Sequence, residues 1–259
     1  MNSLLRSGRW IFAFAIIALG AENIVCAHDA HSIPALPFLP PIPWLAIFFG
    51  GLWVACGAGL LTQRWLRPSV YTLGVTYIFW TLVHVLPQYF AKPGDMGLRT
   101  IVFEPLSLAC IALLLPGPPA TPKWLSISCR AVICIAMIVF GVDHFLGIGF
   151  IATLLPGWIL WHVFWVAFFG VVFIVCGVGI GLGILERWSW AAIGLMFAIW
   201  VITLHVPRTL GFYNIPGAIT DPDEWSRLFI AIGLWGGPWA MAARRDETRP
   251  TSQNSSSSV

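Results

Sequence analysis

Phe49-Gly50-Gly51-Leu52-Trp53-Val54-Ala55-Cys56-Gly57-Ala58-Gly59 is followed 120 residues later by Phe169-Gly170-Val171-Val172-Phe173-Ile174-Val175-Cys176-Gly177-Val178-Gly179. The register holds on both sides of this run. Gly20-Ala21-Glu22-Asn23 answers Gly141-Val142-Asp143-His144, and Trp80 answers Trp200. Thr81-Leu82-Val83-His84-Val85-Leu86-Pro87 answers Thr203-Leu204-His205-Val206-Pro207. A single internal repeat at this period marks a duplicated unit. Each copy contains several long apolar runs, so the duplicated object is a membrane bundle.

Composition leads to the same conclusion. Of 259 residues, 58% are hydrophobic and 10% are charged, and the mean hydropathy is +0.84. A soluble domain carries roughly 25% charged residues. The polar surface here is too small to coat a water-soluble body, so the apolar residues face lipid. A net charge of +3, dispersed along the chain, gives no footprint for nucleic acid. The 15 Trp residues suit a membrane–water interface. Among the six cysteines, Cys56, Cys110, Cys134 and Cys176 lie inside apolar runs and read as small core residues. There is no CxxC to suggest a redox motif or a zinc cluster.

A helical span needs ~20 apolar residues. Eight such runs are present, at about 10–27, 43–62, 69–88, 99–116, 129–147, 158–184, 189–207 and 226–243. The expected fold is therefore all-α: a polytopic membrane protein with about eight transmembrane helices in two tandem, parallel four-helix units. The first unit covers 1–118 and the second 119–243, and 244–259 is a polar, disordered tail on the cytoplasmic side. Arg6, Arg9, Ile11–Gly20 and Val25-Cys26-Ala27 also resemble a signal peptide. The repeat favours a retained helix, because this run is the counterpart of the fifth span. Ten of the fourteen Lys and Arg fall on one side of the membrane. The positive-inside rule then puts both termini in the cytoplasm.

With that orientation, the ionisable residues gather at the outer ends of the spans. Intramembrane ionisable groups are costly and mark functional sites by default. In the second unit the expected polar pocket comprises Asp143, His144, His162, His205, Arg208 and Glu224. His205 and Arg208, spaced i,i+3, share a helix face. Asp221-Pro222-Asp223-Glu224 suits a helix start, with Asp221 as N-cap, Pro222 at the first position and Glu224 completing a capping box. From there Glu224 is also within reach of Arg208 or a histidine. The first unit is a weaker copy, with Asn23 in the place of His144, and its candidates are Glu22, His84 and Glu104. The histidines suit either interhelical hydrogen bonding or a haem, quinone or metal. No His-x-x-x-His or Glu-x-x-His pair supports a metal site, and the cofactor is undetermined. The glycines of the repeated run suit close helix packing.

The second unit resembles the DoxX-like family of membrane proteins. The residues that carry the resemblance are Gly141-Val142-Asp143-His144-Phe145, Leu155-Pro156-Gly157-Trp158 with His162-Val163-Phe164-Trp165, Leu204-His205-Val206-Pro207-Arg208, and Asp223-Glu224-Trp225. The resemblance covers nearly all of 129–243 and, more weakly, 10–116. It implies four-helix units in the bacterial cytoplasmic (inner) membrane, near redox or sulfur metabolism, with other membrane or periplasmic redox subunits as partners. It implies no established reaction. The expected role is an accessory component of a redox or envelope-stress system with an outward-facing polar pocket. Alternatives are a quinone- or haem-linked oxidoreductase subunit and a small-solute transporter. Mid-span positions are almost wholly apolar, which counts against transport.

Overall fold

The computed structural model describes residues 7–28, 42–62, 64–117, 120–212 and 218–247, and among these there is no β-strand. The long helices are α1 (Gly8–Val25), α2 (Pro43–Thr62), α3 (Leu66–Trp80) and α5 (Met96–Leu114). They are followed by α6 (Lys123–Leu146), α8 (His162–Leu182), α9 (Glu186–Trp200) and α11 (Pro222–Glu247). The short helices α4 (Leu86–Ala91) and α10 (Val206–Thr209) continue α3 and α9, and α7 (Ile148–Leu154) links α6 to α8.

Seven segments are long and apolar enough to cross a bilayer: Gly8–Val25, Pro43–Thr62, Leu66–Ala91, Met96–Leu114, Lys123–Leu146, His162–Leu182 and Glu186–Thr209. Many large apolar side chains are exposed, as at Phe14, Phe48, Val75, Leu82, Ile135, Val175, Leu195 and Ile202. Such a surface belongs in lipid. The chain is thus an all-helical, multi-pass membrane protein. The run expected as an eighth span is helical, α11, 26 residues long, but its composition does not meet the apolar criterion of the other seven. Its charged residues, Asp223, Glu224, Arg227, Arg244, Arg245, Asp246 and Glu247, sit at its two ends around an uncharged stretch 228–243. Leu228, Ala231, Leu234, Trp239, Met241 and Ala242 are buried, and α11 packs on α1, α9 and α5. The enclosed stretch is apolar, as a helix packed on several sides requires.

Successive long helices pack side by side, α1 on α2, α2 on α3, α3 on α5, then α6 on α8, α8 on α9 and α9 on α11. Two further contacts close the assembly, α5 on α6 and α11 on α1, and α5 also meets α11. The last helix of each sequence copy therefore lies against the first helix of the other. One hydrophobic core runs through both copies, from Phe12, Trp53 and Leu73 through Leu108 and Ile133 to Phe173, Trp190 and Leu234.

The repeated glycines are where backbones meet. A Cβ on Gly50 would stand 2.6 Å from the Gly20 carbonyl oxygen, and one on Gly141 would stand 2.6 Å from that of Gly170. Nothing larger than hydrogen fits between α1 and α2 or between α6 and α8 at these points. At the other end of the bundle Arg130 donates from Nε and Nη2 to the Ile180 carbonyl, at 2.9 and 2.7 Å. It thereby binds one of the carbonyls left open at the C-terminus of α8.

The third helix of each copy breaks regularity at the same place. Thr81–Val85 and Val201–His205 are π-helical, each directly after a tryptophan. The Leu86 amide donates to the Thr81 carbonyl and the Val206 amide to the Val201 carbonyl, five residues back. Pro87 and Pro207 follow. A proline lacks an amide hydrogen and crowds the carbonyl four residues earlier, and the widened turn relieves both problems.

Candidate functional site

The largest polar concentration lies at the end of the bundle where α6 and α9 finish and α5 and α11 begin. A cavity of about 430 Å³ opens there. Helix α5 contributes Met96, Thr100, Ile101 and Glu104, and α6 contributes Phe140, Asp143 and His144. The interfacial helix α7 supplies Phe150, Ile151 and Leu154. Phe173 comes from α8, and Phe197, Trp200, Leu204, His205 and Arg208 come from α9 and its extension. Glu224 and Arg227 come from α11. Two of these helices belong to the first sequence copy or close on it, so the cavity sits at the seam between the copies.

The carboxylates are matched by arginines. Asp143 is buried and forms an ion pair with Arg99 of α5. Thr100 Oγ1 donates to its other oxygen at 3.5 Å. Glu224, also buried, receives a two-pronged contact from Arg208, Nε to Oε2 at 2.6 Å and Nη2 to Oε1 at 2.9 Å. Arg227 adds a third bond to Oε1 at 2.9 Å. Planar guanidinium–carboxylate pairing of this kind gives both strength and fixed geometry. The helix start itself is capped by Asp221, whose Oδ1 accepts from the Asp223 amide at 3.0 Å. The N-cap and Pro222 thus stand as the sequence suggests. The Glu224 carboxylate does not complete a capping box and is engaged by the two arginines instead.

Three ionisable groups remain after this pairing. Glu104 lines the cavity with only a longer-range attraction to Arg227. His205 makes no hydrogen bond among the described residues. His144 donates from Nδ1 to the Phe140 carbonyl at 2.7 Å, because a carbonyl can only accept. Its Nε2 is buried without a partner, and so is Trp200 Nε1. The His144 and Trp200 rings lie nearly perpendicular, with centroids 5.9 Å apart. The floor is aromatic, with Phe140, Phe173 and Phe197 packed edge to face. No group of three or more His, Cys, Asp or Glu is arranged to hold a metal ion among the described residues.

Five of the six second-copy candidates therefore share one cavity: Asp143, His144, His205, Arg208 and Glu224. His162 stands apart. It opens α8, and its Nε2 donates to the Pro156 carbonyl at 3.1 Å, holding the link that follows α7. Of the first-copy candidates, Glu104 joins the same cavity, although its sequence position assigns it to the other unit. Glu22 lines a separate cavity of about 80 Å³ together with Asn23, Trp53, Tyr77 and Trp80. There Ser226 Oγ donates to Glu22 at 2.5 Å. This contact mirrors Thr100 on Asp143: in both, a hydroxyl from the last helix of one copy serves the acid on the first helix of the other. His84 lines neither cavity. It stacks on Trp80, with centroids 5.3 Å apart, and accepts from Gln88 Nε2 at 3.1 Å.

The difference between His84 and His205 is one of register. Counted from Trp80 and Trp200, or back from Pro87 and Pro207, the two histidines fall one position apart. One position is about 100° around a helix, enough to aim one ring at a tryptophan face and the other into the cavity. Matching the Thr-Leu and His-Val pairs hides this offset, whereas matching Trp and Pro exposes it. Sequence reasoning also misses Thr100, Arg227 and Trp200 as cavity groups and Arg99 as the partner of Asp143. The i,i+4 spacing of Thr100 and Glu104 on one α5 face was the available signal. Set against models of known families, characterised proteins and solved structures, the chain matches none.

Proposed function

We propose that this chain is an eight-helix membrane protein of two tandem DoxX-like four-helix units, each packed against the last helix of the other. It serves as an accessory component of a redox or envelope-stress system in a bacterial inner membrane, by holding a small membrane-dissolved molecule in the larger cavity. Both termini face the cytoplasm, so the cavity opens toward the outer leaflet. The observation that carries this reading is the set left over after ion pairing: Glu104, His144 and His205, beside the paired Asp143, Arg208, Glu224 and Arg227, in a largely apolar chamber of about 430 Å³. Ligand sites are concave and largely apolar, with a few convergent polar groups. The rim supports delivery from the bilayer, since Phe150 and Ile101 both line the cavity and are exposed on the outside.

A second reading, a quinone-linked oxidoreductase subunit, is favoured by the two imidazoles and one carboxyl, which are natural proton acceptors. The aromatic lining of Phe140, Phe173 and Phe197 suits an apolar body better than passage of a polar solute, which favours binding over transport. Purification in mild detergent, followed by organic extraction, mass spectrometry and an optical spectrum, tests the proposal. A small molecule retained by the wild type and lost on Leu154→Trp, which fills the chamber, is the expected result. An empty chamber in protein taken from native membranes would overturn it. A visible chromophore or a stoichiometric quinone would favour the oxidoreductase reading.

A further inference from the structure

We propose that the larger cavity takes an uncharged amphiphile whose polar head is a hydroxyl, an alcohol or a phenol, seated between His144 and Trp200. This inference rests on reading the cavity as a binding site and adds the chemical class of its ligand.

The argument begins with hydrogen-bond capacity. The Phe140 carbonyl fixes the proton of His144 on Nδ1, so Nε2 of the neutral ring is an acceptor. Trp200 Nε1 carries a hydrogen and is only a donor. Both atoms belong to cavity-lining residues and both are buried without a partner. Buried polar groups in native proteins are rarely left unsatisfied. A hydroxyl is the smallest single group that donates to one and accepts from the other. A ketone, ester or ether accepts only and leaves Nε2 unsatisfied. An ammonium donates only and leaves the indole unsatisfied.

Charge narrows the class further. Asp143 and Glu224 are held by Arg99, Arg208 and Arg227, and Glu104 faces Arg227. The three arginines are thus already engaged by Asp143 and Glu224, so an anionic head would enter without a free counter-ion. The phenylalanine floor accommodates an apolar body.

The smaller cavity serves as an internal comparison. Asn23 stands there in the place of His144, and its Nδ2 donates to the Ala46 carbonyl at 2.9 Å. The imidazole acceptor is missing there, the buried groups without a partner are instead Tyr77 Oη and Trp80 Nε1, and the space is about 80 Å³. The pairing of an imidazole acceptor with an indole donor is therefore found in the larger cavity and not in the smaller one.

The test uses the full-length protein in lipid nanodiscs, with para-nonylphenol and its methyl ether as probes, read by native mass spectrometry. The phenol should bind about tenfold more tightly than the ether. His144→Asn, which installs the residue of the smaller cavity, and Trp200→Phe should each reduce that preference to about twofold or less. Equal binding of the two probes to the wild type overturns the hydroxyl assignment and leaves the binding-site reading standing. Failure of both probes to bind overturns both. A preference for the phenol that survives both substitutions puts the hydroxyl elsewhere and overturns the inference.

Discussion

Glu224 holds the most concentrated polar contacts in the cavity, with two bonds from Arg208 and one from Arg227 on a buried carboxylate. Removing it strands two cations in a low-dielectric wall. Glu224→Gln should lower the unfolding free energy by ~1–3 kcal/mol, below the cost of breaking a fully buried pair because Arg208 and Arg227 are 26% and 47% exposed. Lys92→Gln, at an exposed position, should change it by less than ~0.5 kcal/mol. Thermal unfolding in detergent, compared across the two variants, checks this, and equal midpoints would show that the Glu224 cluster contributes nothing to stability. His205 differs in kind from Glu224. It faces the cavity without a hydrogen bond among the described residues, so His205→Phe should leave the midpoint near wild type while altering what the cavity retains.

At the scale of helices, the glycine contacts set the spacing. Backbone meets backbone at Gly141 and Gly170, and a Cβ on Gly141 would also lie 2.5 Å from Ile174 Cγ1. Neither helix can yield without moving its neighbours. Gly141→Leu should therefore abolish the monodisperse peak in size-exclusion chromatography. Gly51→Ala meets nothing within 4 Å and replaces a helical glycine, so it should be neutral or stabilising by up to ~1 kcal/mol. A well-behaved Gly141→Leu protein would contradict the packing of α6 on α8. The π-helical turns act at this scale too, because they fix which residue after Trp80 or Trp200 faces inward.

At the scale of the whole molecule, the exchange of last helices makes the halves interdependent. Helix α1 lies on α11 so closely that a Cβ on Gly8 would stand 2.5 Å from the Gly236 carbonyl oxygen. Expressed alone, 1–118 lacks the surface that covers α1, and it should be degraded or aggregate. Co-expression with 119–259 should restore a complex that purifies on a tag carried by either half. A stable, monodisperse first half would show that each four-helix unit closes on itself. For orientation, reporters fused after Leu115 and after Ala243 should both give cytoplasmic signals. A periplasmic signal at either point would invert the bundle and turn the cavity to the inner leaflet.

Sequence alone determined the membrane class, the all-helical fold and the position of nearly every long helix, because lipid leaves few ways to satisfy a backbone and each leaves a run of apolar residues. The repeat itself was legible, and so was the gathering of Asp143, His144, His205, Arg208 and Glu224 at one end of the helices. Tertiary structure alone decided which helices wall the cavity. Thr100 and Glu104 enter it from the other copy because α5 packs on α6, and a contact between helices distant in sequence leaves no periodicity to read. His162 and His84 left the site for local reasons, a loop carbonyl in one case and a tryptophan face in the other. The seven apolar spans and the more polar α11 show the same division. Hydropathy reports what faces lipid, and only packing reveals a helix that the others enclose.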